Sequence, residues 1–298
     1  MDAYDDPAAE SDLAVYRSTY GLPACTTANG CFRKVNQGGG TSYPGADSGW
    51  AAEISLDLDV VSAICPRCHI LLVEASSSYI SDLGKAVNRA VSLGARFVSN
   101  SYGGGESSSD SSYDTQYFDH PGVAITVSAG DSGYGTAYPA ASHYVTAVGG
   151  TSLRSSSNAR GWAETVWAGS GSGCSTVDSK PAWQTDSGCR RRTIADVAAV
   201  ADPNTGVAVY DTYRANGWAV YGGTSVSAPV IASVYALAGT PWGGTYPASY
   251  PYAHKPALNG VTSGSNGSCS PAYLCTAGPG YNGPAGLGTP NGYTAFAP

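Results

Sequence analysis

The sequence predicts an α/β fold built on a mostly parallel sheet, and two features of its patterning carry that prediction. Short apolar runs at 70–73, 96–99, 123–127 and 144–148 have the length of buried strands, and helical patterns are interleaved with them. Glycine- and serine-rich turns follow several runs, and in such sheets ligands bind beyond the carboxyl ends of the strands. Ser101 and Asp131 fall just past two of those ends.

From the start of the chain, 2–24 reads as a loop and a short helix over 11–20, ending at Gly21-Leu22-Pro23. Residues 25–49 read as a glycine-rich surface excursion. Asp47-Ser48-Gly49 announces a helix over 50–64, with Trp50, Ile54, Leu58 and Val61 as one apolar stripe. Glu53 and Asp57 stand four apart on it and share a face. After the strand at 70–73, Ile80, Leu83, Val87 and Val91 mark an amphipathic helix closed by Gly94. Residues 151–206 read as irregular, with a turn at Asp202-Pro203-Asn204-Thr205-Gly206. A hairpin over 207–210 and 218–220 delivers the chain to Gly222, and from Thr240 onward loops dominate. No internal repeat or long linker divides 1–298, so one domain is expected.

Only 12% of residues are charged, against roughly a quarter in an average soluble protein, while 39 Gly and 21 Tyr are present. A surface that hydrogen-bonds rather than ion-pairs tolerates acid, because few carboxylates must stay ionised. The net charge of -7 argues against a nucleic-acid partner, and Arg190-Arg191-Arg192, the only basic run, reads as a solvated loop. No apolar run has membrane length and no signal peptide is visible, so no membrane partner is expected and Met1 reads as an added start. The eight cysteines fall into close pairs, Cys25 with Cys31, Cys65 with Cys68, Cys174 with Cys189 and Cys269 with Cys275. Sequential disulfides are expected, and with them an exported protein. Cys65-Pro66-Arg67-Cys68 also has the spacing of a redox pair or half a zinc site, but no second C-x-x-C exists and His69 leads straight into an apolar strand.

The chemistry centres on Tyr221-Gly222-Gly223-Thr224-Ser225-Val226-Ser227-Ala228-Pro229 and the apolar run after it. Pro229 suits a first helical turn, and Val230, Val234 and Leu237 recur at helical spacing before Gly239. Ser225 is thereby held near a helix N-terminus, where developing negative charge is favoured. From this stretch alone, Ser225 is either a nucleophile or, with Thr224, a helix cap. A serine nucleophile needs a base. His69, His120, His143 and His254 sit in loops or at strand ends, none in a setting that marks a catalytic histidine. Glu53 and Asp57 offer a carboxylate base, since paired acids can hold one proton between them. An acidic solvated helix face is the competing reading. Against it stand the adjacent apolar stripe and the lack of Lys or Arg from Ala51 to Ile64.

Gly223-Thr224-Ser225 with Ala228-Pro229, the Glu53 and Asp57 pair, and Ser128-Ala129-Gly130-Asp131-Ser132-Gly133 resemble the signatures of the sedolisins, the serine-carboxyl peptidases. Asp2-Ala3-Tyr4 with Asp12-Leu13, Asp196-Val197 with Asp202-Pro203, and Thr262-Ser263-Gly264 with Ala277-Gly278-Pro279-Gly280-Tyr281 agree, so the likeness covers nearly the whole chain. The resemblance implies a subtilisin-like three-layer α/β/α fold with a mostly parallel central sheet, and one peptidase catalytic domain over 1–298. It makes Ser225 the nucleophile, Glu53 its general base and acid, and Asp57 the carboxylate that orients Glu53 and shares its proton. Asp131 would face the oxyanion and must be protonated to donate there, so activity is expected in acid. Backbone at Ser101, Tyr102 and Gly103, with Gly223 beside the nucleophile, would bind an extended peptide as an added strand. The expected protein is a secreted, monomeric endopeptidase or tripeptidyl-type peptidase acting on peptides or proteins.

Two departures from the family pattern stand out. The family's calcium site near the C-terminus uses aspartates where this chain has Gly260 and Asn282. Backbone carbonyls around Val261, Gly278 and Gly280 remain, but calcium favours carboxylates, so weak binding or none is expected and no cofactor is required. The family's first core strand, which would lead into Asp2-Ala3-Tyr4, is missing along with the propeptide, so either the chain has been trimmed or the sheet is one strand short. Two other functions fit the same fold: a catalytically silent binding module, and a histidine-dependent subtilisin-like hydrolase.

Overall fold

A computed structural model describes all 298 residues. The elements are β1 (Asp2–Ala3), α1 (Ala9–Thr19), β2 (Phe32–Asn36), α2 (Ser48–Ile64), β3 (Ile70–Ala75), α3 (Ile80–Ser92) and β4 (Phe97–Asn100). A short helix, α4 (Asp110–Tyr113), runs into a π-helical turn, Asp114–Phe118. There follow β5 (Ala124–Ser128), β6 (Thr146–Ser155), β7 (Trp162–Val166), β8 (Gly173–Ser179), β9 (Arg191–Ile194), β10 (Val197–Val200), the hairpin β11 (Val207–Asp211) with β12 (Gly217–Tyr221), and α5 (Thr224–Ala238).

Two parallel ladders form the sheet, one in the order β1-β3-β2 and the other β10-β6-β5-β4. β1 joins them: Asp2 and Ala3 pair with Glu74 and Ala75 of β3, while the Met1 ammonium donates to the Ser99 carbonyl of β4 at 3.1 Å. β1 is a two-residue strand at this junction. Beyond it a groove of about 510 Å³ separates β3 from β4, walled by Leu58, Ile70, Leu72, Phe97 and Val98.

Side-chain alternation along the strands explains the layering. Ile125 and Val127 point to the face where Leu83, Ala86 and Val87 of α3 pack, while Ala124 packs on the other with Ile231, Val234 and Tyr235 of α5. α2 lies beside α5, joined by Leu56 and Val60 against Val226, and α1 covers α2. The result is the expected three-layer α/β/α arrangement. α2 starts where the Asp47 carboxylate accepts from the Gly49 and Trp50 amides at 3.0 Å, as the cap signal implies.

Several local expectations are corrected. Residues 25–49 hold a core strand, β2, in which Phe32 and Val35 are buried between polar residues. Residues 151–206 are not irregular: β6 runs on to Ser155 to pair with β7, and β10 is a parallel core strand. Its small residues, Val-Ala-Ala-Val, fit under α5 but give little strand signal. α5 begins at Thr224, so Pro229 lies in the second turn, and Leu237 is 47% exposed while Ile231 and Tyr235 carry the buried face. All four cysteine pairs are bonded in sequential order.

The interior is unusually acidic. Burial pushes Asp6 up to about 6 and both Asp59 and Glu74 up to about 8, although the Tyr210 amide on Asp59 and Lys34 beside Glu74 oppose it. These groups are more easily protonated folded than unfolded. Their contribution to stability is complete below the ordinary carboxylate range near 4 and is lost as pH rises through about 6 to 8. The melting temperature should therefore be higher at pH 4 than at pH 8 in thermal scans at fixed salt, and a rise toward neutrality would contradict this account.

Candidate active site

Gly223 precedes α5 with φ +101°, a conformation that favours glycine, and a Cβ there would stand 2.7 Å from Asp131 Oδ2. The helix has no side-chain cap at this residue, which removes the reading of Ser225 or Thr224 as caps. Thr224 is instead occupied with Asp131: its amide and its hydroxyl donate to Asp131 Oδ1 at 2.7 and 2.8 Å, and the hydroxyl accepts from the Gly130 amide at 3.1 Å. Asp131 Oδ2 is left outside this arrangement, beside Gly223. Ser225, the second residue of the helix, presents its hydroxyl toward Glu53.

Glu53 and Asp57 come to the same place because α2 packs against α5. Burial pushes Glu53 up to about 8, helped by the nearby Asp2 and Asp131 charges and opposed by the Ser225 hydroxyl. Burial, Asp2 and Glu53 likewise hold Asp57 well above the usual range. One oxygen on each acid, Glu53 Oε1 and Asp57 Oδ2, is buried with no hydrogen-bond partner. No Lys or Arg pairs with either. Two carboxylates one helical turn apart are hard to keep charged together in such surroundings, so burial favours a proton on the pair.

The Ser101 hydroxyl indicates where the proton sits. It lies 2.6 Å from Asp57 Oδ1 and 3.1 Å from the Ser225 carbonyl oxygen. That carbonyl lacks its helical donor because residue 229 is proline and has no N–H. A hydroxyl carries one hydrogen, so it can donate to only one of these two acceptors. Both contacts are satisfied when Asp57 is protonated and donates to Ser101, which in turn donates to Ser225. The negative charge of the pair then falls on Glu53, next to the Ser225 hydroxyl.

A cleft of about 480 Å³ opens over Ser225, Thr224, Asp131 and the segment from Ser101 to Gly105. Ser101, Tyr102 and Gly103 all line it, but the side chains of the first two turn away, since the Tyr102 hydroxyl is buried on Asn100 Oδ1 at 2.8 Å. Gly223, expected among the substrate-binding residues, sits behind Asp131 and is not part of the lining. None of the four histidines lines the cleft, and His69 and His120 are engaged with Gly30 and Asn88. Asp2, given no role from the sequence, is fully buried with the Met1 ammonium 3.5 Å from its Oδ2 and acts on Glu53 and Asp57. Its place at the end of a central strand was the available signal. At the C-terminal loop, Asn282 Nδ2 donates to the Val261 carbonyl at 3.0 Å and reaches the Gly278 carbonyl at 3.4 Å. Two of the oxygens that calcium would use thus face an N–H₂ group, a donor set that does not fit a cation.

The sequence profile of the subtilase family matches residues 39–247. Kumamolisin from Bacillus sp. (strain MN-32) is 31% identical over 321 residues, an alignment covering 95% of this chain and 56% of kumamolisin. Sedolisin from Pseudomonas sp. (strain 101) is 27% identical over 93% of this chain and 53% of its own length. The chain thus spans about half the length of these relatives. A solved structure of Pseudomonas sedolisin, a serine-carboxyl proteinase complexed with two molecules of pseudo-iodotyrostatin, superposes with a TM-score of 0.77 at 24% identity, covering 97% of this chain and 88% of that one. The paired acids on α2, the serine at the start of α5 and these likenesses agree: the chain belongs to the sedolisin family of serine peptidases, on a subtilisin-like fold.

Proposed function

We propose that this chain is the catalytic unit of an exported, acid-active serine-carboxyl peptidase, hydrolysing peptide bonds through an acyl-enzyme on Ser225. The observation that carries this reading is the pairing of the buried Asp57 with a half-buried Glu53 that meets the Ser225 hydroxyl, with no histidine in the cleft. In the first step the Ser225 oxygen attacks the scissile carbonyl while its proton passes to Glu53, and Asp57 stays protonated through Ser101. Glu53 then gives that proton to the leaving amine, and a water repeats the sequence to release the acid product. Asp131, protonated on Oδ2, donates to the oxyanion while Oδ1 accepts from Thr224. An extended peptide lies along residues 101–103, endopeptidase or tripeptidyl-type cleavage being set by how the cleft is closed. Asn282 supports a C-terminal loop that needs no calcium. The four disulfides support export, and no helix is long and apolar enough to cross a membrane.

Peptide hydrolysis in acid should vanish in Ser225→Ala, and equal rates from the two folded proteins would sink the assignment. The pH profile of kcat/KM should be bell-shaped on the acid side and fall as pH climbs toward 8, where the acid pair loses its shared proton; a histidine base would give the opposite trend. Asp131→Ala should cost on the order of 100-fold in kcat. Asp131→Asn can accept from Thr224 and still donate, so it should keep more activity than the alanine variant. Ser101→Ala, which keeps the cleft backbone, should lower kcat about ten-fold with little change in KM, the worth of one buried hydrogen bond.

A further inference from the structure

A second acidic cluster lies behind the cleft wall, away from Ser225. Asp110 and Asp114, on α4 and the π-helical turn, meet Asp178 of β8, with Glu106 and His143 at the edge. Asp110, Asp114 and Asp178 are at most 2% exposed, and no Lys or Arg pairs with any of the four acids. Glu106 and Asp110 are occupied: Glu106 accepts from Thr136, Ser175 and Thr176, and Asp110 from Ser107. Asp178 is not. Both of its oxygens are buried without a partner, as are Asp114 Oδ2 and His143 Nδ1. Those three residues bring donor atoms within 4.8 Å of one another. Buried polar atoms left unpaired are costly, and here they converge on one point.

We infer that Asp114, His143 and Asp178 form a binding site for a divalent transition-metal ion of the zinc type. Two carboxylates and one imidazole suit such an ion better than calcium, which takes oxygen. His143 Nδ1 and Asp114 Oδ2 are 3.4 Å apart. That is long for a hydrogen bond but matches the edge of about 3.3–3.4 Å between ligands of a tetrahedral ion bound at about 2.0–2.1 Å. The ligands are oriented in turn: the Tyr138 hydroxyl donates to Asp114 Oδ1 at 3.0 Å, and the His143 ring lies on Tyr144 with centroids 4.0 Å apart. The His143 side chain is 27% exposed, which leaves a path for entry and room for a water as fourth ligand. The ion would be structural. Tyr138 pairs through its backbone with Gly104, so the site braces the wall on which the peptide would lie.

Chelator-treated protein titrated with zinc at pH 7 should take up one ion per chain by calorimetry and metal analysis, with a rise in melting temperature. Asp178→Asn and the part-exposed His143→Ala should each weaken zinc binding at least ten-fold and abolish that rise. If Asp178→Asn does not fold, His143→Ala carries the test alone. Absence of a one-to-one zinc complex in the wild type, or saturation by calcium but not zinc, overturns the proposal. So does an Asp178→Asn protein that melts higher than metal-free wild type while the wild type binds no zinc, because the acids then share a proton only.

Discussion

The packing of α2 against α5 is the constraint on which the site depends. It brings the half-buried Glu53 and the buried Asp57 together with no Lys or Arg to receive them, and that desolvation turns an ordinary helical pair of acids into a proton-holding unit. α2 carries Glu53, Asp57 and Asp59 but no Lys or Arg, and a cation near this face would favour the charged form of both acids. Ile54, Leu56, Leu58 and Val60 on α2 and Val226 of α5 are buried around the acids.

Pro229 and Ser101 connect this electrostatic arrangement to the nucleophile. A proline in the second turn of α5 frees the Ser225 carbonyl, and the hydroxyl of Ser101, at the end of β4, takes the vacancy while touching Asp57. One hydrogen atom thereby reports the protonation of an acid and holds the residue that bears the nucleophile. The Thr224 and Asp131 contact does the same on the other side of Ser225, and Gly223 is required because a side chain there would push on Asp131. Ser225 thus sits between two acids in different settings: Asp57, buried and reached through Ser101, and Asp131, open to the cleft and held by Thr224.

The same economy of cations runs through the molecule. Arg192 with Asp196 and Lys34 with Glu74 are buried ion pairs, yet most interior acids are met by hydroxyls and amides, as Asp12 is by Thr212 and Asp59 by Tyr210. Burial favours the protonated form of Asp57 and Asp59, and the hydroxyl and amide donors oppose it. Where the family would place calcium, an asparagine amide spans the loop. Where the wall of the cleft is braced, unpartnered acids and a histidine converge instead.

The order of strands and helices was legible in the sequence because burial on two faces demands apolar runs of the right length, and the spacing of the cysteines was enough for their pairing. The candidate site residues stood out through short motifs, since Gly223, Ser225 and the four-residue step from Glu53 to Asp57 are fixed by local geometry. β2 and β10 were not, because a polar alternation and a run of small residues become strands only when neighbours at 70–75 and 146–155 supply their hydrogen bonds. Nor were the roles of Asp2, of the Ser101 side chain and of Asn282. Each acts on residues tens to more than a hundred positions away, or across a loop closed by other contacts. Sequence fixes which groups are available, whereas protonation and partnership depend on what burial removes from around them, and only the folded chain decides that.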